Sequence, residues 1–280
     1  LLQDSALQSV QLHIIIRWSV PPVVSIRQKQ GVETISLRFI FWSLLMKVKG
    51  SVVFVTGANR GLGLAFAREA VARGAAKVYA GMRNPDNFNE PGIIPVKLDV
   101  NDVDSIAAAA RAAPDVTLLV NNAGIAELTQ EHFTEHEVEQ ARRFFETNYF
   151  GMIRVTNAFH HALVAGKGAI VNILSDATWK VVPVLSPYSA TKAAAWSYTN
   201  NIRALLSEKN VQVVGLHVGF LDTDLAKDVD LPKTDPRDVA RQAYDVVDAG
   251  GSEVLADAGT RAIKSTLSAE VPAYIDPSVV

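Results

Sequence analysis

The chain has 280 residues, 49% of them apolar, enough for one large core or two small ones. Its 27 basic and 29 acidic side chains are well mixed and leave a formal charge of −2, so it lacks the clustered basic surface that a nucleic-acid backbone demands. It has no cysteine, which excludes disulfides, thiolate metal sites and a cysteine nucleophile.

Residues 1–45 differ in character from the remainder. They show no sustained period, carry charges inside their apolar patches and break at Pro21 and Pro22. The patches HIIIRW and FIFWSLL fall far short of the roughly 18 to 20 residues that span a bilayer. No basic start leads into a clean apolar run and a small-residue cleavage site, so a signal peptide is a poor match. Met46, followed by Lys47, Lys49 and a strand, resembles a natural start. Residues 1–45 are therefore expected to be an extension, foreign to the natural protein or poorly ordered, and 46–280 one folded domain. No membrane contact is expected, and the cytoplasm is the expected location.

From Lys47 onward, short apolar runs alternate with longer amphipathic stretches. The strand candidates are SVVFVT, KVYAG, IIPVKLD, VTLLVNN, GAIVNIL, VQVVGLHV and a short SEVLA. Near-continuous apolar runs of this kind are expected where helices cover both faces of a parallel sheet. Between them lie LGLAFAREAVARG, VDSIAAAARAA, the long HEVEQARRFFETNYFGMIRVTNAFHHALV and SPYSATKAAAWSYTNNIRALLSEKN. The alternation predicts an α/β fold, a doubly wound sheet of about seven strands with right-handed crossovers. A further helix is predicted to start at an Asp235 cap with Pro236 in its first position. Ligands of such sheets bind beyond the carboxyl ends of the strands. Thr56, Asn59, Asp99, Asn121, Asn122, Ser175 and Thr223 follow those ends.

TGANRGLG, residues 56–63, joins the first strand to a helix. Glycines that let an anion approach the free N–H groups of a helix start make a phosphate site. Gly57, Gly61 and Gly63 are spaced G-x-x-x-G-x-G, however, and not G-x-G-x-x-G. The second strand ends at Gly81 without the carboxylate that binds a ribose 2′-hydroxyl in many NAD sites. Arg83 lies just beyond it and Arg60 within the glycine loop. Two guanidiniums suit a 2′-phosphate, so NADP(H) is favoured over NAD(H).

Tyr188 in SPYSATK has Lys192 four residues on, on the same helical face. An ammonium near a phenol favours the phenolate, which is the physical reason for Y-x-x-x-K. Together with TGANRGLG, Asp99 in KLDV, NNAG at 121–124, Asn148 in ETNYFG and Ser175 in VNILSDA, the motif resembles the short-chain dehydrogenase/reductase family. The match keeps the family's order and spacing over residues 51–223, and the family's glycine loop has the spacing seen here.

The resemblance implies a single Rossmann-fold domain acting on a small-molecule carbonyl or alcohol. Tyr188 would exchange the proton, Ser175 would stabilise the substrate oxygen, Lys192 would tune Tyr188 and hold the nicotinamide ribose, and Asn148 would position a relay water. The cofactor would be lined by Gly57, Asn59, Arg60, Gly61, Leu62 and Gly63, then by Arg83, Asp99 and Val100. Asn121, Ala123 and Gly124, with Tyr188, Lys192, Gly219 and Thr223, would complete that set, Asn121 by bracing its strand. Val218 stands where the family commonly has proline, leaving the following bend less fixed. The loop DATWKVVPVLSP brings Trp179, Val181, Val182, Val184 and Leu185 near Tyr188; Ile125 and Phe220 should face the same space. An apolar ketone or aldehyde is the expected substrate, and a homodimer or homotetramer the expected assembly.

HFTEH, His132 to His136, matches a zinc-protease pattern, but the stretch around it is polar on every face and no metal is expected. A dinucleotide-sensing regulator on the same fold could dispense with Ser175, Tyr188 and Lys192, which this chain keeps.

Overall fold

The structure, a computed structural model, describes residues 26–28, 31–33, 46–223 and 230–279. The chain divides into two compact units, Leu1–Leu45 and Met46–Val280. In the first, Ile26–Gln28 pairs antiparallel with Gly31–Glu33; the other expectations for residues 1–45 lie outside the described residues.

The second unit holds a seven-stranded sheet made of β1 (Val52–Thr56), β2 (Lys77–Met82), β3 (Ile94–Lys97), β4 (Leu118–Asn121), β5 (Ala169–Ile173), β6 (Gln212–His217) and β7 (Glu253–Leu255). The spatial order is β3-β2-β1-β4-β5-β6-β7, and every pairing is parallel. The direction of winding reverses between β1 and β4, which opens a crevice beyond their carboxyl ends.

Successive strand residues feed opposite layers because side chains alternate along a strand. Val53, Val55 and Val120 pack with Phe66 and Ala67 of α1 (Gly61–Ala72) and Tyr244 of α6 (Pro236–Asp248). Phe54, Leu119 and Ile170 pack on the other face with Ile106 of α2 (Val103–Ala112), Phe159 of α4 (Gly151–Ala165) and Ile202 of α5 (Ser186–Ser207). Among the described residues the other α-helices are α3 (Glu135–Phe144) and α7 (Ala258–Ser265).

Side-chain oxygens cap α2 from Asp102, α3 from Thr134, α6 from Asp235 and α7 from Asp257. Each satisfies N–H groups that the helix itself leaves without partners. α1 differs: its N-cap Arg60 makes no side-chain cap, and its first turn has no acid. The long helix expected after β4 is interrupted by a π-helical turn, Phe145–Phe150, between α3 and α4. Such turns are rare and concentrate at functional sites. Here Asn148 lies within it and is almost fully buried.

Candidate active site

The loops after β1 and β4 are locked together at the crevice. The Thr56 hydroxyl accepts from the Asn122 and Ala123 amides, both at 2.9 Å. Asn122 Nδ2 in turn donates to the carbonyls of Thr56 at 2.9 Å and Gly57 at 3.1 Å. Gly57 has φ +65°, a region side-chain-bearing residues rarely adopt. At Gly63 a Cβ would sit 2.3 Å from the Gly57 carbonyl oxygen, so the start of α1 lies directly against the loop. This bare cradle at an uncapped helix start fits a phosphate group.

Asn122 is thus one of the polar residues at the strand ends that the fold brings to the glycine loop. Asn121 turns the other way. Its Nδ2 donates to Thr156 on α4 at 3.0 Å and to Asn172 on β5 at 2.9 Å, so the side chain ties β4 to its neighbours. Leu62 and Val100 are buried in the two core layers. Asn59, Arg60, Arg83 and Gly124 are exposed. Asp99 accepts the Asn101 amide at 2.9 Å, and Thr223 reaches back to within 3.3 Å of where a Cβ on Gly61 would lie.

Ser175 follows β5, and α5 presents Tyr188 and Lys192 beside it. Lys192 is buried; its Nζ donates to the Ile173 carbonyl at 2.8 Å and lies 5.6 Å from the centroid of the Tyr188 ring. Burial lowers the Lys192 pKa to about 8 because it disfavours the charged form. Burial likewise pushes Tyr188 up to about 12, with the Ser175 hydroxyl acting the other way and the Asp176 charge adding to the rise. In this geometry desolvation outweighs the depression of Tyr188 expected from the lysine. Asn148 clamps Ile125 by accepting from its amide at 2.8 Å and donating to its carbonyl at 2.9 Å. Its Nδ2 also donates to Thr191, next to Lys192, at 3.2 Å.

In the loop after Ser175, Trp179 points into the protein. The short 3-10 turn Asp176–Thr178 carries that indole inward, where it is 5% exposed and stacks on His217 at 3.8 Å. Trp179 is packed with Ile263 and Ala273. Leu185 is also buried at the end of the turn Pro183–Leu185. Val182, Phe220 and Ile125 are half-buried, and Val181 and Val184 exposed.

Two residues that sequence reasoning passed over support this region. His217 directs Nδ1 to the Ser175 carbonyl at 3.1 Å, and burial lowers its pKa to about 4, so at neutral pH the ring is uncharged. Asp257 accepts the Gly219 amide at 2.9 Å while also capping α7. That hydrogen bond fixes the bend after β6, where Val218 replaces the family's usual proline. A polar residue closing the run VQVVGLHV was the signal for His217; nothing local marked Asp257.

In HFTEH, His132 pairs with Glu137 at 3.1 Å, and Glu135 and His136 are exposed at the start of α3. Among the described residues no group of three or more His, Cys, Asp or Glu side chains could hold a metal ion.

Comparison with known proteins agrees with this geometry. The short chain dehydrogenase family profile matches residues 51–233. An NADPH-dependent 1-acyldihydroxyacetone phosphate reductase of Schizosaccharomyces pombe is 31% identical over 62% of this chain and 60% of its own length. The mouse dehydrogenase/reductase SDR family member 7B is 29% identical over 74% of this chain and 72% of its own. A Burkholderia cenocepacia short chain dehydrogenase, solved with NADP, superposes with a TM-score of 0.76 at 36% identity, covering 80% of this chain and 95% of that one. The match to the yeast reductase spans about three fifths of that protein's length. With the family profile covering more than half of the sequence, including the glycine cradle, Ser175, Tyr188 and Lys192, the chain belongs to the short-chain dehydrogenase family.

Proposed function

We propose that this protein is an NADP(H)-dependent oxidoreductase that interconverts an apolar ketone or aldehyde and its alcohol, with Tyr188 exchanging the proton. The observation that carries the reading is the cluster beyond β5. Lys192 is held by the Ile173 carbonyl and lies over the Tyr188 ring, with Ser175 two residues beyond Ile173. When bound, the nicotinamide supplies or accepts the hydride. The protein's own part is proton transfer and orientation. At neutral pH the phenol of Tyr188, pushed up to about 12, is protonated, the form that a general acid in carbonyl reduction needs. Ser175 donates to the substrate oxygen as charge develops there. Asn148 holds the chain beside Thr191 and Lys192, where a water could return the proton to Tyr188.

Preference for NADP(H) rests on register. β1 and β2 pair with Thr56 opposite Gly81, so Arg60 and Arg83 both follow the same edge of the crevice. An NADPH-dependent relative and a structural neighbour with NADP support the assignment; a Brucella melitensis ketoacyl reductase solved with NADH, 24% identical, points the other way. Oxidation of NADPH and NADH measured in parallel over a panel of carbonyl compounds tests the reading. Replacing both arginines, Arg60→Ala with Arg83→Ala, should lower kcat/KM for NADPH by roughly 10- to 100-fold, the worth of charge-assisted hydrogen bonds, and leave NADH nearly unchanged. An equal loss with both cofactors would remove the arginines from discrimination.

Exposed Val138 and Phe150 border a shallow groove with Ala141, Arg142, Phe145 and Glu146 on α3 and the π-helical turn. The exposed apolar side chains on this face support a homodimer or homotetramer; a monomer in sedimentation equilibrium would refute it. Among the described residues, no helix is long and apolar enough to cross a membrane.

A further inference from the structure

We propose that Asp176 is a positioning residue for Ser175, its protonation deciding whether the serine hydroxyl hydrogen is held by the carboxylate or offered to the substrate oxygen. The inference rests on the reductase reading above and adds a control to it. Ser175 Oγ donates to Asp176 Oδ1 at 3.2 Å and accepts from the Ala177 amide at 3.1 Å. A hydroxyl has one hydrogen and two lone pairs. While Asp176 is ionised, that hydrogen is shared with the carboxylate and competes with donation to substrate. Once Asp176 is protonated, its own O–H can donate to the remaining lone pair of Ser175 Oγ. The serine hydrogen is then released toward the substrate oxygen, and the chain of two hydrogen bonds strengthens it as a donor.

The surroundings of Asp176 make its protonation accessible. Its amide donates to the Val218 carbonyl at 3.1 Å, which fixes the residue against the end of β6. Its Oδ2 lies 3.4 Å from where a Cβ on Gly219 would be, and Asp257 Oδ2 lies 3.7 Å from the same point. Two carboxylates therefore flank one glycine. Burial and the Asp257 charge raise the Asp176 pKa, while Ser175 and, from its own loop, Lys180 oppose the rise. From α5, Tyr188 faces it and is itself raised by the Asp176 charge. Ionised Asp176 thus holds back both the serine and the tyrosine as donors, and its protonation favours reduction on two counts.

The test uses the full chain with NADPH and phenanthrenequinone. In the wild type, kcat/KM for reduction should fall roughly three- to tenfold, the range of one hydrogen bond, as pH rises through the Asp176 transition, then level off. Asp176→Asn, and Asp176→Ser should the first variant fold poorly, should abolish that step and leave the Kd for NADPH unchanged. The same step in either variant, or a parallel loss of NADPH affinity, would overturn the proposal. A second measurement does not depend on turnover: the ¹³C carboxyl resonance of Asp176, assigned by its loss in Asp176→Asn. It should titrate above the ordinary aspartate value of about 4 and move higher in Ser175→Ala. A midpoint at the ordinary value, or one indifferent to Ser175→Ala, overturns the proposal. A wild type without turnover but with the expected titration would count against the reductase reading alone.

Discussion

Tyr188→Phe is expected to lower turnover by roughly 10²- to 10⁴-fold, the contribution of a positioned general acid, while NADPH affinity stays within about twofold. The substitution removes only the hydroxyl and keeps the ring that lies 5.6 Å from Lys192 Nζ, so the packing of α5 is retained. Steady-state reduction and titration of cofactor fluorescence measure the two quantities. Unchanged turnover would remove Tyr188 from the chemistry; loss of cofactor binding in proportion would make it a structural residue. A pH dependence follows from the same site. Lys192 has its pKa lowered to about 8, so its ammonium is present below that value and lost as pH rises through it. Tyr188, pushed up to about 12, keeps its proton over that window. A decline in wild-type rate above about pH 8 therefore reports Lys192, and Tyr188→Phe should flatten it in the residual activity.

Features whose causes are local were legible in the sequence. The buried strands appear as apolar runs because both faces of the sheet are covered. The start of α6 was legible because Asp235 accepts the Arg237 amide and Pro236 needs no amide of its own. What escaped depends on contacts between distant segments. The break at Phe145–Phe150 accompanies Asn148 binding the backbone of Ile125, a partner 23 residues away. The stacking of the Trp179 indole on His217 of β6 likewise joins distant segments. Asp257 supports Gly219 across 38 residues, and no spacing rule announces such a pair. Asp176 was passed over for the opposite reason. It adjoins Ser175 in the chain, but its interest arises from Gly219 and Asp257, which folding brings to it.

Gly63→Ala is expected to abolish the dinucleotide cradle: affinity for NADPH should fall at least roughly 100-fold, and thermal stability should fall as well. The added Cβ would lie 2.3 Å from the Gly57 carbonyl oxygen, 2.6 Å from Asn122 Nδ2 and 2.9 Å from Ala58 Cα. Two of these three neighbours are backbone atoms, so relief requires the loop to move away from α1. That movement would also break the hydrogen bonds from Asn122 to the Thr56 and Gly57 carbonyls, which join the loops after β1 and β4. A ligand phosphate would then lose the helix-start amides and the fixed approach that makes them useful. Gly74→Ala is the matched comparison. Gly74 has φ +77° and only Lys49 Cγ, at 3.8 Å, near its Cβ position. Its substitution should cost about 1 to 2 kcal/mol of stability from left-handed backbone strain and leave NADPH affinity unchanged. If both variants lost affinity equally, general destabilisation would account for the effect. Loss confined to Gly63→Ala would assign it to the close approach between α1 and the loop.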